Sequence, residues 1–164
     1  MLGEIEIRED VERAKKLSAY EAVDVLWVAL IKAANLCDGQ NELARLTNLV
    51  AKFDARALST ILESPAVDQL LALDPPLETV LHDRYECLQP IETMQAINAI
   101  RKNRKLAPHE AVLRLGSILK RIRNKRAHGF KSSEGPRDQE ILSAARSILA
   151  NLCSLLATLN IIEC

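Results

Sequence analysis

The sequence predicts an all-α fold, a helical bundle, on three observations. Aromatic residues are 3% of the chain and its apolar mass is Leu, Ala and Ile, a composition that favours helices over strands. Only 5 Gly and 6 Pro interrupt 164 residues that are 48% hydrophobic, which excludes both a loop-rich scaffold and disorder. No segment shows period-2 alternation, whereas apolar residues recur at helical spacing along most of the chain. The length suits a single domain, 1–164, able to bury about two-thirds of its unfolded surface without disulfides or a metal.

Each element has a local reason. Ser18 caps a helix through about Cys37, with Val23, Trp27, Leu30, Ile31 and Leu36 apolar and Trp27 assigned to the core. Asp38 caps a second helix through Leu43, Leu46, Leu49 and Val50. Asp54 opens a short helix that stops before Pro65, because a residue preceding proline resists the α region. Short segments at 66–72 and 76–88 follow, separated by Asp74-Pro75-Pro76. Pro90 starts a helix through Met94, Ile97 and Ile100.

Residues 101–108, RKNRKLAP, form a basic connector whose proline suits the first turn of the next helix. That helix, about 108–127, carries Ala111, Leu115, Ile118 and Ile122 on one stripe, flanked by Val112 and Leu119. Gly129 is a natural left-handed terminator and leaves His128 at the last half-helical position. After a loop at 131–137, residues 141–162 form the final helix. Its length would suit a membrane span, but Ser143, Ser147, Asn151, Ser154 and Thr158 make one polar stripe, and Arg146 interrupts the run. It therefore reads as the central helix of a bundle or a subunit interface, with no membrane partner.

The formal net charge of zero hides a polarity. Residues 1–100 carry 9 Lys/Arg against 17 Asp/Glu, whereas the basic segment 101–131 carries 11 against Glu110 alone. Such a block suits a phosphate backbone, an acidic membrane surface or the acidic face of a second copy. A membrane surface is disfavoured because no apolar anchor lies beside the block. Cys37, Cys87, Cys153 and Cys164 show no CxxC and no paired His spacing, so free thiols are expected and no metal site. The acidic start, MLGEIEIREDVERAKK, lacks the apolar core of a secretory signal, and a cytoplasmic location is expected.

The informative string is Arg121-Ile122-Arg123-Asn124-Lys125-Arg126-Ala127-His128-Gly129-Phe130. Arginine offers a bidentate fork for a phosphate, and histidine transfers protons near neutral pH. These are the parts that metal-free phosphodiester cleavage needs. On a continuous helix, however, Arg123 and His128 stand roughly 140° apart. They converge only if the helix ends near His128 or if a second chain completes the site, and two histidines across a two-fold axis would supply base and acid. A bare R-x4-H pairing is weak, and Arg104 with His109 also satisfies it. That pair straddles Pro108 and lacks the Asn and the Ala-His-Gly context.

Together, the R-N-K-R-A-H-G string on a basic amphipathic helix and the long apolar helix after it resemble the HEPN superfamily, over about residues 108–160. That resemblance implies a homodimeric helical bundle and a metal-independent endoribonuclease of toxin or defence type, without a cofactor. Arg123, Asn124 and His128 take the catalytic positions, with Arg121, Lys125, Arg126 and Lys131 contacting RNA. It also implies a cognate antitoxin or nucleotidyltransferase partner. One departure counts against control by that enzyme: Phe130 stands where one subgroup has a tyrosine that is modified. The competing expectation is a non-catalytic helical module that docks an acidic partner or a nucleotide. In it, Arg123 merely balances the acidic N-terminal helices and His128 meets helix-end carbonyls.

Overall fold

The computed structural model describes residues 2–73, 89–128 and 136–159, and over these the chain is an all-α helical bundle. Its helices are α1 (Leu2–Ala14), α2 (Ala19–Ala34), α3 (Glu42–Ala51), α4 (Ala55–Leu62), α5 (Pro65–Leu71), α6 (Gln89–Asn103), α7 (Pro108–His128) and α8 (Pro136–Leu156). The predicted segment 76–88, Gly129 and most of the loop at 131–137 lie outside the described residues.

Helices α2, α7 and α8 organise the core. Helix α2 packs most extensively on α8 and also holds α1, α3 and α7. Helix α7 is covered by α6, α4 and α3, while α5 and α4 close over α8. The stripe read on α7 is the buried one: Ala111, Leu115, Ile118 and Ile122 are all 1% exposed or less. Burying each such Leu or Ile contributes about 1.5–3 kcal/mol. Helix α8 buries Ile141, Leu142, Ala144, Ala145, Ile148, Leu149, Leu152, Cys153 and Leu156, and exposes the polar stripe from Ser143 to Thr158. Its apolar circumference is thus consumed inside one chain and creates no demand for a second copy. Among the described residues no helix is long and apolar enough to cross a membrane.

Several boundaries move for identifiable reasons. Helix α2 is capped by Ser18 as expected but ends at Ala34, where Leu36 and Cys37 donate to Ala33 and Ala34 in tighter turns. The α3 cap is Asn41 rather than Asp38. Asn41 Oδ1 accepts from the Ala44 amide at 2.8 Å, while the Asp38 carbonyl accepts from Asn48 Nδ2 at 2.6 Å. Gly39 makes the turn between them with φ +154°, and a Cβ there would lie 2.7 Å from the Arg45 nitrogen. We expect Asn41→Ala to cost about 0.5–2 kcal/mol by chemical denaturation, with Asp38→Ala close to neutral.

Asp54 caps α4 as read. Helix α6 runs to Asn103, which shortens the basic connector to 104–107. Helix α8 begins at Pro136, not near 141, because proline fits the first turn and Asp138 complements the helix dipole there. It ends at Leu156, where Thr158 Oγ1 takes the Leu155 carbonyl. Helix α1 carries too few apolar residues to announce itself. It is fixed by Asp10, only 7% exposed, which accepts from Arg13 at 2.9 Å and from Lys32 of α2 at 2.7 Å.

Candidate nucleic-acid interface

Burial of Ile118 and Ile122 fixes the roll of α7 and so decides which of its basic residues face the chain. Four cations of the 101–131 segment meet carboxylates of the acidic first hundred residues. Arg104 pairs with Asp68 at 2.7 Å, Lys120 with Glu42 at 2.6 Å, Arg121 with Glu92, and Arg123 with Asp24 at 2.7 Å. A fifth, Arg101, donates to the Leu71 carbonyl. The charge polarity of the sequence is therefore partly closed within the molecule, where it docks the α6–α7 hairpin. Lys102, Lys105, Arg114 and Lys125 form no ion pair among the described residues, and the first three are exposed.

Arg121 is drawn away from RNA. Its guanidinium donates to Thr93 Oγ1 and Glu92 of α6, and its side chain is only 19% exposed. Arg123 is more open, at 35%. Its Nε donates to Asp24 and its Nη1 to Asn124 Oδ1 at 3.3 Å. Nη2 has no protein partner. The guanidinium is thus oriented through one edge while part of it faces solvent.

Helix α7 remains helical to His128. The backbone therefore places Asn124 and His128, four residues apart, on one face, and Arg123 roughly 140° from His128. Asn124 is the link, lying beside the Arg123 fork and on the His128 face. The side chains of Arg126 and His128, and all of Lys131 and Phe130, lie outside the described residues.

The rival motif is structural. His109 Nε2 donates to the Phe53 carbonyl at 2.9 Å, and Arg104 is tied to Asp68. Neither side chain is directed at a common site.

Asp24 is the residue that sequence reasoning missed. It is 99 positions from Arg123, and no local motif connects them. The available signal was its isolation: it is the only charged residue between Glu21 and Lys32 in an otherwise apolar helix.

Among the described residues, no group of three His, Cys, Asp or Glu is arranged to hold a metal ion. Comparison with protein-family models, curated proteins and solved structures finds no match for the chain.

Proposed function

We propose that the last turns of α7 form an RNA-binding site of a HEPN-like, metal-independent endoribonuclease of toxin or defence type. The observation that carries this reading is the Arg123 guanidinium. Asp24 and Asn124 fix it near the end of a helix whose final residue is His128, and Nη2 is left for a phosphate oxygen.

Arg123 holds the scissile phosphate and offsets the charge that develops on it. The 2′-oxygen attacks phosphorus as His128 takes its proton, and the bond to the 5′-oxygen breaks. A proton from the His128 of a second copy completes the leaving alcohol. The products are a 2′,3′-cyclic phosphate and a 5′-hydroxyl. Lys125, Arg126 and Lys131 steer the backbone, with Lys102, Lys105 and Arg114 extending the positive track. Asp24 is a positioning residue for Arg123.

In this reading the homodimer rests on the α7 ends rather than on α8, whose apolar face is already covered. A cognate antitoxin or nucleotidyltransferase would cover the same basic end.

A second reading has its own support. Because Arg104, Lys120, Arg121 and Arg123 are all paired within the chain, a non-catalytic helical module that docks an acidic partner needs no further geometry.

One experiment separates them. Purified protein incubated with single-stranded RNA in EDTA is expected to release fragments ending in 2′,3′-cyclic phosphate. Binding should weaken with salt at a log–log slope of about −0.7 for each phosphate neutralised, so roughly −3 for four contacts. Salt-dependent binding without cleavage supports the docking module. Cleavage that stops on chelation, or a purely 18 kDa species in sedimentation, removes the two-histidine mechanism.

A further inference from the structure

Helices α1 and α8 run side by side without packing closely, and a groove of about 640 Å³ lies between them. Sites for small molecules usually measure about 300–1,000 Å³. The groove follows α1 from Glu4 to Lys15 and α8 from Arg146 to Leu159. Eleven residue steps along α1 correspond to about 16 Å. The two helices run in opposite senses here, because Arg146 at one end donates to the carbonyls of Ala14 and Lys15 at 3.2 and 3.3 Å.

The floor is apolar. Ile7 of α1, Leu26 of α2 and Leu156 of α8 are buried along it, with Val11 half-buried on the wall. Cys153 lies beneath them, its Sγ donating to the Leu26 carbonyl at 3.5 Å, and burial pushes its thiol pKa up to about 12. Water is therefore poorly admitted at this depth.

The rim is cationic at the Arg146 end. Arg146 has only carbonyl partners, and Arg8 is exposed with no ion-pair partner among the described residues. Lys15 is matched by Glu12 at 2.5 Å, and Glu4 lies at the opposite end. Two guanidinium groups without carboxylates thus border an apolar trough long enough for an extended hydrocarbon chain. Such a trough suits a ligand with an apolar tail and a negative head.

We propose that the groove between α1 and α8 binds a single-chain anionic amphiphile, a medium-chain fatty carboxylate. Its tail lies along Ile7, Val11, Leu26 and Leu156, and its head meets Arg146 and Arg8. No described residue of α7 lines the groove, so this site is independent of the proposed RNA interface.

Titration calorimetry with laurate below its micellar range tests the assignment, with dodecanol as the neutral twin. The full-length protein is expected to bind one laurate at least tenfold more tightly than dodecanol. Ala150→Trp places an indole in the groove from an exposed position and should weaken laurate at least tenfold. Arg8→Glu, also at an exposed position, should weaken laurate several-fold and leave dodecanol unchanged. If Ala150→Trp lowers the thermal midpoint, Ala157→Phe, also exposed and groove-lining, takes its place. The assignment is overturned by absence of saturable laurate binding, by equal affinity for dodecanol, or by full affinity in the blocked variant. Capture of an acidic amphipathic peptide by a protein that ignores laurate also overturns it.

Discussion

His128→Ala is expected to lower RNA cleavage by about 10²–10⁴ while leaving the circular dichroism melt and RNA affinity close to wild type. Removing a proton-transfer group affects the transition state and not the ground-state complex, so the loss should fall on the rate of the bound complex. His109→Ala is the matched control, since Arg104 and His109 satisfy the same bare spacing. Its expected effect is the reverse. Cleavage should persist, but the Phe53 carbonyl loses its 2.9 Å donor in a half-buried position, which costs about 1–3 kcal/mol of stability. Equal loss of cleavage in both variants would show that His128 has no special part. Loss of stability in His128→Ala comparable to that in His109→Ala would reassign it to the helix end.

Ile122→Ala carries the largest expected stability effect among residues next to the site. Ile122 is 0% exposed and lies between Arg121 and Arg123 in sequence, so its burial sets the direction of both guanidinium groups. Deleting its side chain should cost about 2–5 kcal/mol in urea or thermal unfolding, from lost transfer energy and the cavity left behind. The consequence for RNA should exceed that of an equally buried residue far from α7. Leu149→Ala on α8, also 0% exposed, is the comparison. If the two variants lose stability alike and Ile122→Ala keeps full RNA affinity, the roll of α7 is not what positions the cations.

Much of the fold was legible because helices announce themselves locally. The caps at Ser18 and Asp54, the proline at the start of α7 and the i, i+3, i+4 stripe ending at Ile122 act within a few residues. Two boundaries were misread where local options compete. Asp38 and Asn41 are both good caps, and the Gly39 turn with the Asn48 contact selects the second. Pro136 looked like loop, yet it opens α8. Helix α1 was invisible because its stability comes from Asp10 bonding to Lys32 on another helix, not from its own apolar pattern.

The site divides along the same line. Sequence by itself determined the all-helical class, the burial of α7 and the block of cations near its end, because composition and periodicity are properties of neighbours along the chain. Only the tertiary structure decided what those cations meet. Arg121 turns to Glu92 and Thr93, Arg104 to Asp68, and Arg123 to Asp24 across 99 positions, leaving Lys102, Lys105, Arg114 and Lys125 without ion pairs among the described residues. A charge block can be counted in sequence, but whether a charge is neutralised depends on which carboxylate lies within about 4 Å, and that distance exists only after folding.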